Sequence, residues 1–464
     1  MRKSSYWLER PAVILFFLTL LILFIRLFLR GNSLELDEAE QVIVAQQLLP
    51  GYPDQPPFYS WLQYLFFKLV GFNLLSLVLL KCSLLFGCFY YFHQICRLHC
   101  PNNTLAWCTT LAWALIPAIS LDLIKDNTHS VLVLFAACLT WYWFIAPSRL
   151  PKTVWYLIFG LIIGIGFLSK FNYLLFLSIL LLSAISIDNY RIKLIHPGML
   201  LTLVAALALA SPYIFWLSEH PGIGLHARSK LMPDNKQSSF GLIEFGKAIL
   251  FFASPVLLFT TIFFPFKHWQ LRQTARNYLL LRYHLISLPL LASIIFFAGI
   301  SNFATRWLIP ILFLCPLCIF SQVQLKPELT TKIRSFAVIC LLVQLIFFGI
   351  LINRGHSEHN KYNQFPVNET VQAIKADRFK VDYIVSDSYW LLGNLMLKLG
   401  IKNGWYLHPA SPFSLPKGKL LLVWQSPQLP VWVNTLMPPP SKAINWVENP
   451  GNSLIVTGRT YYVT

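Results

Sequence analysis

The sequence predicts a polytopic α-helical membrane protein that ends in a small α/β domain. Of its 464 residues, 56% are hydrophobic and only 12% are charged, and the mean hydropathy is +0.58. Because a soluble domain is about one quarter charged, a soluble globular enzyme is excluded. The apolar residues gather in segments of membrane-spanning length, whereas residues 353–464 are more polar and rich in strand-like runs.

Eleven apolar segments are candidate membrane spans. The first follows Arg2, Lys3 and Arg10 but lacks a small-residue cleavage site, which indicates a retained anchor rather than a signal peptide. The segments at 154–168 and 171–187 are short and could form one broken helix. The eleven segments are 11–30, 73–97, 104–121, 128–146, 154–168, 171–187, 195–217, 248–266, 283–300, 306–320 and 333–352.

The charge distribution orients these spans. Lys and Arg total 37 against 19 Asp and Glu, a formal net charge of +18. In a soluble protein this excess would indicate nucleic-acid binding, but here the basic residues collect in loops that are all cytoplasmic if the N-terminus is inside. The first outer loop instead carries acids: Glu35, Asp37, Glu38, Glu40 and Asp54. We therefore expect membrane lipids, and no nucleic acid, around the chain.

The C-terminal part of the chain has a different pattern from the apolar part. A helical stretch at 389–400 lies among strand-like runs, which are found at 381–387, 419–424 and 452–458. We expect two domains, a transmembrane catalytic domain over 1–352 and an α/β domain over 353–464. With an odd number of spans, the second domain lies outside the cytoplasm.

The first outer loop, residues 31–71, is too long and too patterned to be a simple connector. Amphipathic helices are predicted over 37–49 and 56–70, with the Gly/Pro turn GYPDQPPF between them. Asp37 opens the first helix, and Glu40 three residues later would complete a capping box. Asp37 could equally act as general base on an acceptor hydroxyl, or stabilise an oxocarbenium-like sugar.

A second pair of acids lies in the next outer turn, where Asp122 and Asp126 flank Lys125. Helix capping explains Asp126 as well as catalysis does, because a long apolar run follows it. Asp126 and Asp37 are predicted on the same side of the membrane, where they could form an acid/base or acceptor-orienting pair. Glu38 is expected to be solvated or to support Asp37.

Cations on the outer side point to an anionic partner. Lys170 lies between two apolar segments, where it could snorkel to the interface or hold a lipid phosphate. Arg228 and Lys230 lie in the outer loop 218–247, which is either a phosphate-binding loop or a solvated, mobile one. Arg306 stands at a helix start, where the helix dipole disfavours a cation, so it too indicates an anion. The sequence carries no P-loop, which disfavours a nucleotide-dependent reaction.

Several motifs, in their order, resemble the polytopic glycosyltransferases of the GT-C fold, in particular the protein O-mannosyltransferase and lipid A aminoarabinose-transferase group. The motifs are LDEAEQ, GYPDQPPFYSWL, KDNTHSVLVLF, GFLSKFNYLLF and SPYIFWLSEHPG followed by ARSKL. The resemblance covers essentially the whole chain. It implies transfer of a sugar from a polyprenyl phosphate, with inversion, on the outer face. It also maps the catalytic carboxylate to Asp37, a second acid to Asp126 and a donor-phosphate cation to Lys170.

Two positions depart from the pattern of the family. Gln55 stands where relatives often carry Lys or His before the double proline. Ala39 and Glu40 stand where an Arg-Tyr or Ala-Tyr pair often follows the catalytic acid. Because Gln55 carries no charge, the contact to the donor phosphate would be made by Lys170, Arg228 or Lys230 instead. The second departure leaves the identity of the acceptor open.

The sequence thus predicts a glycosyltransferase that moves a sugar from undecaprenyl phosphate to an envelope glycan, lipid A or protein at the periplasmic face of the bacterial inner membrane. A flippase for a lipid-linked sugar and a non-catalytic envelope-assembly protein are the alternatives. No motif requires a cofactor, and a divalent cation is left open. The expected catalytic residues are Asp37, Asp126 and Glu38, the donor phosphate-binding residues are Lys170, Arg228, Lys230 and Arg306, and the substrate-positioning residues are Tyr52, Gln55, Tyr59 and His129.

Overall fold

A computed structural model of the chain describes residues 9–223, 231–232, 238–357, 367–376, 381–407, 418–425, 430–436, 443–447 and 456–463. The chain divides into two compact units. The first, here called the membrane unit, comprises Met1–Ile22, Asp54–Tyr59 and Cys82–Phe348, and the second, the mixed unit, comprises Leu23–Pro53, Ser60–Lys81 and Gly349–Thr464. The mixed unit therefore joins most of the first outer loop to the C-terminal part of the chain.

Helices account for most of the described residues. Up to residue 195 they are α1 Pro11–Phe28, α2 Leu36–Val44, α3 Phe58–Leu69, α4 Leu74–His99, α5 Asn103–Leu111, α6 Leu123–Lys125, α7 Thr128–Ile145, α8 Lys152–Phe167, α9 Asn172–Ile185 and α10 Asp188–Ile195. Then follow α11 Gly198–Glu219, α12 Ser238–Phe263, α13 Ala275–Phe297, α14 Ile309–Leu312, α15 Cys315–Phe320, α16 Thr330–His356, α17 Val367–Ala376, α18 Tyr389–Leu399 and α19 Val431–Leu436. Short 3-10 turns lie at Ala112–Leu115, Phe266–His268, Thr305–Leu308 and Pro327–Leu329, and a π-helical turn at Ala118–Asp122.

The prediction of a polytopic helical membrane protein is confirmed, but the count of eleven spans is not. Among the described residues, seven helices are long and apolar enough to cross a membrane, or nine if two sharply bent helix pairs each count as one span. Two of the predicted spans do not reach this length. The helix α8 has 16 residues, and the segment from Thr305 to Phe320 is split into three short pieces.

The bent pairs have local causes. Between α5 and α6 the chain turns by 76°. Ile116 has extended backbone there and Pro117 follows it, so the α-helical hydrogen-bond pattern cannot continue. The pair α9 and α10 bends by 116°, next to an extended Ile187. The segments predicted at 154–168 and 171–187 are separate helices, α8 and α9, joined by a short turn.

The helix α8 packs against α11 in the membrane unit. A Cβ atom on Gly160 would lie 2.4 Å from the backbone oxygen of Thr202, so only glycine allows this close approach. The hydroxyl of Thr202 also donates a 2.8 Å hydrogen bond to the carbonyl of Tyr156. This packing fixes the position of α8, and with it the turn after its last residue.

The mixed unit holds α2 against α18. A Cβ atom on Gly393 would lie 2.3 Å from the backbone oxygen of Ala39. The backbones of the two helices are therefore close together at this glycine. Trp390 donates its indole N–H to the carbonyl of Leu34 at 2.8 Å, and the backbone N–H of Leu34 donates to the Asn394 side chain at 2.8 Å. The first outer helix is thus a component of the C-terminal core.

The predicted α/β character of the C-terminal region is confirmed. The strands are β1 Tyr383–Ser386, β2 Gly404–Tyr406, β3 Gly418–Gln425, β4 Ala443–Val447 and β5 Val456–Val463. They form one sheet in the order β2-β1-β3-β5-β4, with β1 parallel to β2 and β3, and β5 antiparallel to β3 and β4. The predicted strands at 381–387 and 419–424 match β1 and β3. The predicted strand at 452–458 matches β5 only from residue 456, since residues 451–455 lie outside the described part.

Candidate functional site

The second outer turn holds Asp126 at the end of α6. The backbone N–H of Asp126 donates to the carbonyl of Asp122 at 2.9 Å, and Asn127 then adopts φ 62° and ψ 50°. Asn127, rather than Asp126, directly precedes α7, and its own side chain makes no capping hydrogen bond, so capping of this helix by Asp126 stays a prediction. Among the described residues, Asn127 is the one non-glycine residue with a positive φ, a conformation that asparagine tolerates better than most.

Lys170 lies in the turn between α8 and α9. Its Nζ donates a 2.8 Å hydrogen bond to the hydroxyl of Ser130, in the first turn of α7. The side chain is half-buried and is directed at a neighbouring helix. This geometry replaces simple snorkelling with a cation held in a fixed position.

The segment Asp54–Tyr59 adds a second wall beside Lys170. The backbone N–H of Phe58 donates to the carbonyl of Leu168 at 3.1 Å, which attaches the segment to the turn. The ring of Tyr59 lies 5.3 Å from that of His129, and the charges of Lys170 and Asp54 both act on His129. We call Asp54, Tyr59, His129, Ser130 and Lys170 the lysine cluster. It contains three of the residues predicted from sequence.

Of the other three predicted cations, the structure describes only Arg306. Arg306 is exposed in the turn Thr305–Leu308, and it makes no ion pair with any residue the structure describes. That turn is linked to the lysine cluster's neighbourhood, because Asn172 donates to the carbonyl of Trp307 at 3.1 Å. Arg228 and Lys230 lie outside the described residues. Gln55 is half-buried in the segment that contributes Tyr59.

The first outer helix begins two residues earlier than the capping box predicted from sequence. The residue before the first turn of α2 is Glu35, and its backbone N–H donates to the Glu38 carboxylate at 3.1 Å. The prediction that Asp37 is the cap and Glu40 its partner is therefore wrong. Asp37 is instead a half-buried residue of the first turn, where a carboxylate is favoured by the helix dipole.

Glu38 is buried, which corrects the expectation of a solvated side chain. Its carboxylate is bound by Arg26, and Arg30 contacts its other oxygen at 2.8 Å. Burial alone would raise the pKa of Glu38, but the positive charges of Arg26, Arg30 and Lys81 lower it below its usual range. A carboxylate that stays ionised and is held on both oxygens is an anchor for the helix rather than a proton acceptor.

Tyr52 also has a structural contact within the mixed unit. Its hydroxyl donates to the carbonyl of Gln47 at 2.6 Å and accepts from the backbone N–H of Leu49 at 3.3 Å. Burial raises the pKa of Tyr52 to about 12, so the phenol remains protonated. Tyr52 therefore closes the turn after α2, and substrate positioning by this residue stays a prediction.

A cavity of about 580 Å³ lies within the mixed unit, next to this turn. Its wall includes Tyr52, and it includes residues that sequence reasoning did not single out: Tyr64, Lys68, Lys402 and Trp405. Lys68 and Lys402 are isolated basic residues with no surrounding motif, so only the folded chain reveals that they share a cavity. Aromatic faces and ammonium groups together suit an acidic carbohydrate.

The residues predicted from sequence therefore fall in both units. The membrane unit brings together Tyr59, His129 and Lys170, and the mixed unit carries Asp37 and Glu38 on one helix. The pairing of Asp37 with Asp126 joins residues of different units and stays a prediction. Within the described residues, no three His, Cys, Asp or Glu side chains are grouped closely enough to hold a metal ion.

Comparison with known proteins identifies the type of enzyme. Residues 54–216 match the family model described as dolichyl-phosphate-mannose-protein mannosyltransferase. The lipopolysaccharide core galacturonosyltransferase RgtB of Rhizobium johnstonii is 30% identical over 413 residues, covering 86% of this chain and 83% of that protein. Its counterpart RgtA from the same organism is 28% identical, with 88% and 85% covered.

A solved structure confirms the fold. The chain matches ArnT from Cupriavidus metallidurans bound to undecaprenyl phosphate with a TM-score of 0.66 and 12% identity, over 96% of this chain and 97% of that one. The apo state of the same protein gives a TM-score of 0.64. This match confirms the predicted GT-C fold, and the relatedness to the galacturonosyltransferase RgtB confirms the predicted enzyme class. The chain belongs to the GT-C family of membrane glycosyltransferases that includes the lipopolysaccharide core galacturonosyltransferases.

Proposed function

We propose that this glycosyltransferase takes its sugar from a polyprenyl phosphate and that the lysine cluster binds the donor phosphate. The observation that carries the proposal is the fixed position of Lys170, whose Nζ lies 2.8 Å from the Ser130 hydroxyl at the end of apolar helices. An ionisable residue between membrane-spanning helices is by default a candidate for a functional role. The undecaprenyl phosphate bound to ArnT, which has the same fold, supports a lipid phosphate as the ligand.

The chemistry follows from the charges. An oxygen of the acceptor hydroxyl forms a bond to the anomeric carbon of the sugar while the bond from that carbon to the phosphate oxygen breaks. The phosphate leaves with the bonding electrons, and Lys170 and Arg306 stabilise its added negative charge. The acceptor's proton passes to a carboxylate, for which Asp37 is the candidate, with Asp126 orienting the acceptor. Attack opposite the leaving phosphate inverts the anomeric centre.

We propose an envelope glycan as the acceptor and a uronic acid as the transferred sugar. The proposal rests on the relatives, which are named as lipopolysaccharide core galacturonosyltransferases. The cavity of the mixed unit supports it, since Lys68 and Lys402 can pair with the acidic groups of such a glycan and Trp405 can stack on a sugar ring. The positive-inside pattern supports a bacterial inner-membrane location with this unit on the periplasmic side.

The donor proposal is tested by replacing Lys170 with Met. We expect transfer from radiolabelled undecaprenyl-phosphate sugar in membrane vesicles to fall roughly a hundredfold or more, because the leaving phosphate loses its fixed cation. The matched control is Lys152→Met, at the opposite end of α8, which should retain wild-type transfer. Equal transfer by the Lys170 and Lys152 variants would contradict the proposal. Repeating the assay with EDTA, and then with added Mg²⁺, tests the divalent cation that the sequence leaves open.

A further inference from the structure

We infer that a basic cavity at the opposite end of α7 from the lysine cluster binds the phosphate of an anionic membrane lipid. The cavity has a volume of about 490 Å³, and its cationic walls are Lys193, Arg272 and Arg276. The helix α7 begins beside the lysine cluster, and its last residue, Ile145, lines this cavity. Its 18 residues separate the two places by about 27 Å, so the cavity is distinct from the proposed donor site.

The two arginines are held at the C-terminal end of α4. An Nη1 of Arg276 lies 3.3 Å from the carbonyl of Leu98, and an Nη1 of Arg272 lies 3.5 Å from the carbonyl of His99. Each guanidinium group has five N–H donors, so most of them are left for a ligand. Among the described residues, neither arginine pairs with a carboxylate. The nearby Asp188 is bound by Arg191 at 2.7 Å instead.

Lys193 is also fixed in place. Its Nζ donates to the carbonyl of Phe144 at 2.7 Å and lies 5.4 to 5.7 Å from the ring centres of Phe144, Trp155 and Tyr190. Such a cage of aromatic rings stabilises a cation that is partly removed from water. Aromatic residues are enriched where a membrane protein meets the lipid headgroups, which is the level this cavity would occupy.

A helix start adds to the positive potential of the cavity. The helix α13 begins at Ala275, and both Ala275 and the preceding Thr274 line the cavity wall. The N-terminal end of a 23-residue helix carries partial positive charge and favours a phosphate. Lys193, Arg272 and Arg276 therefore face the same cavity as the positive end of this helix. Among the residues that the structure describes, no carboxylate lines the cavity.

Apolar residues next to the cavity favour a lipid over a soluble phosphate compound. Ile192 and Ile195 flank Lys193 on α10, and they are 63% and 70% exposed. Side chains of this kind would be costly to leave in water but can contact acyl chains. A phosphate in the cavity and acyl chains on α10 are the two parts of one anionic phospholipid. Cation clusters between helices at the cytoplasmic side are suited to such headgroups.

The test uses the purified full-length protein and short-chain phosphatidylglycerol. We expect the double variant Arg272→Gln with Arg276→Gln to bind this lipid roughly tenfold more weakly than the wild type, because two charge contacts are lost. The corresponding double lysine variant should retain most of the affinity. The control is Arg191→Gln, on α10 but exposed and bound to Asp188, and it should bind as the wild type does.

Several outcomes would overturn the inference. Unchanged binding by the double glutamine variant, or an equal loss with Arg191→Gln, would show that the cavity is not the site. Equal binding of short-chain phosphatidylcholine would show that charge does not matter, and displacement by equimolar inorganic phosphate would indicate a soluble ligand. If the double glutamine variant does not fold, Lys193→Gln gives the same test without removing the two contacts to α4.

Discussion

Two adjacent carboxylates, Asp37 and Glu38, have different surroundings and therefore different expected roles. Glu38 is buried with both oxygens held by arginines, whereas Asp37 remains half-buried on the first turn of the same helix. We expect Asp37→Asn to lower turnover by roughly 10² to 10⁴-fold with little change in melting temperature, because the variant loses a base but keeps the helix start. Glu40→Gln, two residues after Glu38 on the same helix, is the control. Wild-type turnover in Asp37→Asn would remove Asp37 from the mechanism.

The expected effect of Glu38→Gln is a loss of stability rather than a specific loss of chemistry. The substitution leaves Arg26 and Arg30 buried without a full counter-charge, at a cost of about 3 kcal/mol or more. The exposed pair of Asp188 and Arg191 provides the control, since Asp188→Asn should cost less than about 1 kcal/mol. Melting temperatures of the two variants in one detergent make the comparison. A Glu38→Gln protein as stable as the Asp188 variant would contradict the anchor role.

The same ion pair predicts a direction for pH dependence. Because the folded-state pKa of Glu38 is lowered, its contribution to stability is complete above the pKa of an unfolded glutamate, about 4.3. The contribution is lost as the pH falls below that value toward the folded-state pKa. We expect the difference in melting temperature between wild type and Glu38→Gln to be constant at neutral pH and to shrink under acid conditions. A difference that grows with falling pH would contradict this assignment.

At the scale of single helices, the sequence predicted that a helix is present more reliably than it predicted the residues at which the helix begins and ends. The helix predicted over 37–49 is present but runs from Leu36 to Val44. Its start was hard to predict because the stretch LDEAE offers several acids that could precede the first turn of a helix. The choice of Glu35 depends on Glu38 being held by two arginines of the preceding segment. Local patterns do not contain that information. The start of α7 at Asn127 has the same origin, since this residue adopts a left-handed conformation that the apolar run does not reveal.

The contact between α2 and α18 predicts the effect of one added methyl group. Gly393→Ala would place a Cβ atom 2.3 Å from the backbone oxygen of Ala39, and the two helices would have to separate. We expect a loss of about 1 to 3 kcal/mol in stability, and lower transfer because α2 carries Asp37. The control is Gly349→Ala in α16, where an added Cβ meets nothing within 4 Å and alanine favours the helix. Equal melting temperatures for both variants would contradict the close contact.

At the scale of the whole molecule, the sequence identified the fold class but not how the chain divides. The GT-C resemblance and the apolar segments were sufficient to predict the helical membrane fold of the membrane unit, because hydropathy can be calculated from local composition. They did not predict that Leu23–Pro53 and Ser60–Lys81 belong with Gly349–Thr464. The buried core formed by Ala39, Val42, Leu391 and Leu395 joins positions more than 300 residues apart, and no local pattern encodes such a pairing.

Because the mixed unit combines N-terminal and C-terminal segments, removal of the C-terminal segment should affect the first outer loop. In a protein with two sequential domains, no such effect would be expected. Truncation after residue 352 keeps every residue proposed for catalysis, yet it removes α18 and exposes the apolar face of α2. We expect the truncated protein to lose transfer and to become sensitive to proteases between α2 and α3, since buried Ala39 and Val42 lose their partners. It should still bind undecaprenyl phosphate in a Lys170-dependent manner, because the lysine cluster lies wholly within the membrane unit. Full transfer by the truncated chain would show that the C-terminal core does not position Asp37.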